Sequence, residues 1–259
     1  MGYPTLTYQT DGAIATIALT VPEKRNAISA QMITDLLGAL DQAEQGADVV
    51  ILTGSGKAFC AGMDLDELQH IARQALPKNL EDARRMTKLL YRLHSFPKPV
   101  IAAVNGPAIA GGCGLATLAD FTIAVPEAKF GYTEVKLGFM PALVSVFLRR
   151  KIGDRQVRDL LFTGRIIDAA EALRMGLITE VVPLESLMDR AREIAALLLA
   201  ASPTAVAQTK KLLLGFDRAA IRAELEAAIE ASADIRSTPD FKEGVAAFLE
   251  KRPPKWGSS

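Results

Sequence analysis

The chain has 259 residues, 30 lysines and arginines against 30 aspartates and glutamates, and 49% hydrophobic residues. That length supports a sizeable core, and zero net charge provides no field toward nucleic acid or an anionic membrane surface. No apolar run reaches the roughly 18 residues needed to span a bilayer, and two cysteines, Cys60 and Cys113, are too few for a disulfide framework.

In chain order, the start Met1-Gly2-Tyr3-Pro4 shows no secretory signal, and Leu6 stands where myristoylation wants Ser or Thr. A reduced, cytoplasmic enzyme is the expected class. Residues 3–21 read as two strands joined at Asp11-Gly12. Residues 22–26 form a charged loop, and Ser29 caps a helix to about Gln45 with Met32, Leu36, Leu37 and Leu40 on its apolar face. Residues 48–53 are a buried strand, followed by Gly54-Ser55-Gly56-Lys57. This turn lacks the Walker spacing and the Ser or Thr after the lysine, so nucleotide hydrolysis is set aside.

Residues 64–73 look helical, and Pro77 breaks that run. Residues 80–93 are amphipathic, with Leu80, Ala83, Met86, Leu90 and Leu93 near helical spacing. Residues 99–104 are a buried strand closed by an Asn-Gly turn, residues 112–119 are helical, and residues 120–125 are again a strand. A loop is expected over 130–138, then a helix over 141–152 with Arg149-Arg150-Lys151 at the negative end of its dipole. No element is assigned between that helix and Thr163. Asp168-Ala169-Ala170-Glu171 is a capping-box pattern for a short helix ending near Gly176, and residues 178–182 form a short strand. Helices follow over 185–200, from Ser202-Pro203 to about 218, over 221–232, and over 238–250, the last with Pro239 at its favoured first position. The result is an α/β core with a helical C-terminal region.

Two stretches carry the chemistry. Val104-Asn105-Gly106-Pro107-Ala108-Ile109-Ala110-Gly111-Gly112-Cys113-Gly114 puts glycines where a loop enters a helix, so backbone N–H groups there lack intrahelical partners. With the helix dipole behind them they suit an oxygen gaining negative charge; on the glycines alone, a tight packing turn is the better explanation. Lys57-Ala58-Phe59-Cys60-Ala61-Gly62-Met63-Asp64-Leu65 is a second strand–loop–helix corner about 50 positions earlier. Two such corners can each give one N–H to a single oxygen.

With Phe130-Gly131-Tyr132-Thr133-Glu134 downstream, the set resembles the crotonase family, the enoyl-CoA hydratase and isomerase superfamily. The likeness runs from Pro22-Glu23-Lys24-Arg25-Asn26-Ala27 to the tail Phe248–Trp256. It implies an α/β spiral of ββα units over residues 1–200 and a C-terminal helical trimerisation region over 201–259, assembled as a homotrimer or a dimer of trimers. It also implies an acyl-CoA substrate and no metal or redox cofactor.

By the same resemblance Met63 and Gly111 are the oxyanion-hole donors and Glu134 is the catalytic acid/base. On its own, Glu134 reads more readily as a solvated loop glutamate. Beside a thioester and walled by Phe130, Leu137 and Phe139, it would have a raised pKa. Gly114 stands where well-known hydratases carry their first catalytic glutamate, twenty positions earlier, so the two-carboxylate arrangement is lost. One remaining acid is compatible with hydration or with a proton shuttle between C2 and C4. Residues 136–144 look more like the methylglutaconyl-CoA hydratase branch, which implies a branched or carboxylated acyl group and leans toward hydration. Substrate and CoA contacts are implied for Lys24, Arg25, Ala27, Ala61, Gly62, Asp64, Leu65, Gly114, Phe248 and Lys251. Lys24 and Arg25 read equally as a solvated turn, Asp64 as a helix cap, and Phe248 and Lys251 as the exposed end of a terminal helix. Cys60 and Cys113 are expected to be packing residues, and His70 and His94 are too isolated for zinc. A catalytically weak CoA-ester-binding member, or one that also binds RNA, is a separate class; zero net charge argues against RNA.

Overall fold

In a computed structural model of the chain, which describes residues 2–257, a six-stranded sheet is the frame. Met1 of the amino-terminal reading, and Ser258 and Ser259 of the C-terminal region, lie outside the described residues. The expected hairpin opens the sheet, with β1 (Leu6–Asp11) and β2 (Ile14–Leu19) paired antiparallel across a two-residue turn. Helix α1 (Ala30–Gly46) starts at Ser29, whose hydroxyl accepts from the Met32 N–H. Met32, Leu36 and Leu40 are buried beneath it, while Leu37 is only partly covered.

The later strands are β3 (Val49–Gly54), β4 (Val100–Val104), β5 (Ala108–Ile109), β6 (Phe121–Ala124), β7 (Lys129–Gly131), β8 (Ile167–Asp168) and β9 (Glu180–Val181). The large sheet runs β1-β2-β3-β4-β6-β9, parallel from β2 onward. β3 and β4 are almost wholly buried, as parallel strands with both faces covered should be. A smaller sheet, β5-β7-β8, is extended by a bridge between Cys60 and Ala108. Successive turns of the chain thus feed both sheets before a helix returns, which is the ββα spiral.

The helices are α2 (Leu65–Ile71), α3 (Leu76–His94), α4 (Gly111–Leu118), α5 (Ala142–Leu148), α6 (Asp154–Thr163), α7 (Ala169–Arg174), α8 (Leu187–Leu199), α9 (Pro203–Asp234) and α10 (Pro239–Leu249). Several differ from expectation. Pro77 opens α3 instead of breaking a helix, because the first turn needs no N–H from it. The region expected as a loop over 130–138 contains β7 and a 3-10 turn, Glu134–Leu137. Helix α5 stops at Leu148, so Arg149-Arg150-Lys151 lie just past it. Helix α6 was not expected, although Val157, Leu160 and Leu161 form its buried stripe. At α7 only half of the capping box forms. Asp168 accepts from the Glu171 N–H, but the Glu171 carboxylate turns to Arg165. The two helices expected over 203–232 are one 32-residue helix, α9. Gly215 lies within it, and a mid-helix glycine costs only about 1 kcal/mol. Glu224 anchors the far half to Arg149 and Arg150 at the end of α5. Among the described residues no helix is long and apolar enough to cross a membrane.

Candidate active site

The two corners expected to share an oxygen are stitched together through their backbones. The Phe59 and Cys60 N–H groups both donate to Pro107 O, at 3.1 and 3.2 Å, and the Ile109 N–H donates to Cys60 O at 3.0 Å. Gly112 approaches so closely that a Cβ there would fall 2.3 Å from Cys60 O. Close packing therefore does explain this glycine, and the same packing brings the corners into register.

The first corner is held on its other side by residues 25–28. Asn26, fully buried at φ 55°, accepts from the Val21 N–H and donates to Ser55 O and Ala58 O. The Ala61 N–H donates to Arg25 O, Ile28 N–H to Gly62 O, and Asp64 N–H to Ile28 O. In this short parallel pairing alternate peptide groups face the partner, so the Met63 N–H faces away from it. Met63 lines a cavity, and its N–H has no acceptor among the described residues. Gly62 turns the chain there at φ 91°. At the second corner Ala110 takes φ 51° and ψ −123°, gives its N–H to Gly131 O, and delivers Gly111 as the first residue of α4. A non-glycine residue in such a conformation stores about 1–3 kcal/mol of strain, which is concentrated at functional sites. The Gly111 N–H also has no acceptor among the described residues, and Gly111 lines the same cavity.

That cavity has a volume of about 920 Å³, ample for a small-molecule site. Glu134 lies in its wall, 8% exposed, with Oε2 lacking a hydrogen-bond partner among the described residues. Burial pushes its carboxyl from the ordinary 4.5 up to about 7, because a charge with little water around it is disfavoured. Leu137 and Phe139 wall the cavity as expected, together with Leu90, Met86 and Val144. Phe130 does not; it is fully buried in β7, paired with Ala108 and Ile167.

Position 114 is closed as well as uncharged. A Cβ on Gly114 would meet Val144 Cγ1 at 2.8 Å, and Gly114 does not line the cavity. Val144 from α5 thus occupies the space into which a side chain at 114 would grow. Of the other expected contacts, Lys24, Arg25, Ala27, Ala61, Asp64, Leu65 and Phe248 line the cavity, whereas Gly62 and Lys251 do not. Lys24 Nζ is 2.9 Å from both Asp64 and Asp66, so its charge is matched locally. Asp64 also caps α2, accepting from the Asp66 N–H. Arg25 has no ion-pair partner among the described residues. Cys60 and Cys113 are fully buried packing residues, their thiols pushed up to about 12 by burial. His94 packs on Phe147, and burial lowers it to about 4. No group of three or more His, Cys, Asp or Glu side chains among the described residues is placed to hold a metal. Asp82, Ser232 and Arg236 at this site carry no local sequence signal, and Asn26 and Val144 lie in stretches noted in the sequence without a role of their own; an Asn in a charged turn was the one local hint.

Two unspent N–H groups, a carboxyl poised near neutrality and mostly apolar walls suit proton transfer at the carbon beside a thioester. Residues 9–259 match the family described as Enoyl-CoA hydratase/isomerase. A Thermus thermophilus protein, provisionally named as an enoyl-CoA hydratase, is 42% identical over 247 residues, covering 95% of this chain and 98% of its own. The short-chain-enoyl-CoA hydratase of Clostridium acetobutylicum is 35% identical over 250 residues, 93% of each chain. The crystal structure of an enoyl-CoA hydratase/isomerase from Xanthobacter autotrophicus Py2 superposes with a TM-score of 0.88 at 30% identity, covering 96% of this chain and 97% of that one. The chain belongs to the enoyl-CoA hydratase/isomerase family.

Proposed function

We propose that the protein hydrates a 2-enoyl-CoA ester with Glu134 as its single acid/base. The Met63 and Gly111 N–H groups receive the thioester oxygen and hold the negative charge it gains as an enolate. The Glu134 carboxylate takes a proton from water as the oxygen adds to C3, and returns a proton to C2 of the enolate. Water is added and no electrons are transferred, so the reading needs no redox cofactor, and with two peptide N–H groups on the thioester oxygen and Glu134 on the proton it assigns no step to a metal. The observation that carries it is Glu134 Oε2, without a hydrogen-bond partner among the described residues, buried in the same cavity as two peptide N–H groups that have no acceptor among them.

The blocked space at Gly114 supports a second reading, a proton shuttle between C2 and C4, because one carboxyl suffices for isomerisation. Crotonyl-CoA, 3-methylglutaconyl-CoA and a 3-enoyl-CoA, each incubated in deuterated water and followed by mass spectrometry, separate the two. Addition of one water with deuterium at C2 supports hydration. Migration of the double bond without added water makes the protein an isomerase, and binding without any conversion makes it a CoA-ester-binding protein.

In this reading Arg25, which has no ion-pair partner among the described residues, meets the CoA phosphates, while Lys24 is held by its aspartates. The reading also includes a homotrimer or a dimer of trimers, supported by the exposure of Leu212, Leu213 and Phe216 on α9. Phe248 and Lys251 would then reach a neighbouring subunit's CoA. A cytoplasmic location accompanies it, supported by two free cysteines.

A further inference from the structure

Part of the cavity wall is polar. Arg236, in the turn Ile235–Ser237 after α9, is 2% exposed yet lines the cavity with Ser232 and Asp82. Its Nη1 donates to Asp82 Oδ2 at 2.7 Å and to Asn79 O at 3.5 Å, both on α3. The guanidinium lies over the Phe139 ring at 5.4 Å, and the Phe139 N–H donates to the Glu134 carbonyl. Arg236 Nε and Ser232 Oγ, the latter on a residue 1% exposed, have no hydrogen-bond partner among the described residues.

An arginine serving only to tie α9 to α3 gains from Asp82, but leaving neighbouring buried polar atoms unpaired weakens such a tie. Their position favours a ligand. Asp82 lies one turn, about 6 Å, before Met86 on the same face of α3. The Met86 Cε in turn would be 3.1 Å from a Cβ on Gly111. This polar part of the wall therefore lies beyond the thioester site along α3, where the far end of an acyl chain would arrive.

We propose that Arg236 and Ser232 form a subsite for an oxygen acceptor, a carboxylate or a carbonyl, at the distal end of the substrate's acyl chain. The proposal rests on the acyl-CoA reading above. The guanidinium edge carrying Nε and Nη2 can donate two parallel N–H bonds, and the Ser232 hydroxyl a third. Asp82 already balances the Arg236 charge, so either kind of oxygen satisfies the donors. A hydrocarbon end satisfies none, and sites built on hydrogen bonds reject such analogues strongly.

The test is calorimetric binding of saturated acyl-CoA esters of matched length: glutaryl against pentanoyl, and adipyl and 5-oxohexanoyl against hexanoyl. At one of these lengths an acceptor-ended ester should bind at least about tenfold more tightly than its methyl-ended partner. The adipyl and 5-oxohexanoyl arms distinguish carboxylate from carbonyl. Arg236→Met and Ser232→Ala should each shrink that preference severalfold, and Ser232→Ala, which removes one oxygen, keeps the test available if Arg236→Met does not fold. Equal binding of both kinds of ester, or equal weakening of both by the variants, overturns the proposal and leaves Arg236 as a helix tie. Turnover of crotonyl-CoA by the same preparation reports separately on the hydratase reading. Turnover without preference refutes only the subsite, and preference without turnover refutes only the reaction.

Discussion

Replacing Glu134 with Gln keeps the shape of the side chain and removes its titration. In the folded protein burial raises this carboxyl from 4.5 to about 7. Below pH 4.5 both folded and unfolded chains hold the proton, and the group does not affect stability. Between about 4.5 and 7 the unfolded chain releases its proton while the native one keeps it, so stability falls by about 1.4 kcal/mol per pH unit. Above about 7 the loss levels off at roughly 3 kcal/mol. Denaturant titrations at pH 4.5 and 8.5 should therefore show Glu134→Gln gaining up to about 3 kcal/mol on the wild type between the two pH values. Comparing the two pH values cancels the constant effect of burying an amide. In the same variant, hydration of crotonyl-CoA should fall by about 10²–10⁴-fold. Wild-type kcat/KM should decline below about pH 7, because the ionised carboxylate accepts the proton from water. A stability difference that is the same at both pH values, or a variant with undiminished turnover, would refute the reasoning.

Gly114→Ala should destabilise the protein by about 1–3 kcal/mol through contact with the stiff Val144 side chain, and Val144→Ala in the same chain should recover most of it; urea unfolding reads both. Gly112→Ala drives a Cβ into Cys60 O, and should cost more than about 3 kcal/mol while lowering kcat at least about 10²-fold as the paired N–H groups separate. Full activity and stability in that variant would dissociate the glycine from the site. Arg25→Ala should raise KM for the CoA ester more than Lys24→Ala, because the Lys24 charge is already matched by Asp64 and Asp66; steady-state kinetics decide. Leu213→Glu combined with Phe216→Glu should reduce the sedimenting mass to that of one chain, and an unchanged mass would remove α9 from the assembly surface.

The legible parts of the sequence were those written in local chemistry. Ser29 caps its helix and Pro239 opens the last one as expected, the Asp11-Gly12 turn makes its hairpin, and the two glycine-containing corners line one cavity with Glu134. Other features depend on residues far apart in the chain. Gly114 was legible as a missing carboxylate, but its closure depends on Val144, thirty positions away. Nothing local distinguishes Arg236; its surroundings depend on α3 bringing Asp82 and Asn79 beside it. The break expected in α9 fails because Glu224 is anchored to the end of α5, a contact that no local pattern encodes. Pro77 was misread for another reason: proline stops a helix or starts one depending on which turn it occupies.

The two donors proposed for the thioester oxygen belong to peptide groups, and this shapes how the protein can change over evolutionary time. A substitution at Met63 alters the shape of the cavity but does not remove the N–H. The backbone pairing between residues 25–28 and 61–64 that aims it is likewise indifferent to most side chains. Mutational freedom is therefore high in the walls and low at the contacts that fix the backbone, such as Gly112 against Cys60. On the proposed reading, a lineage could exchange cavity-lining groups such as Val144, Ser232 or Arg236 and retain the two peptide donors. New substrates become accessible without rebuilding the step on which every one of them depends.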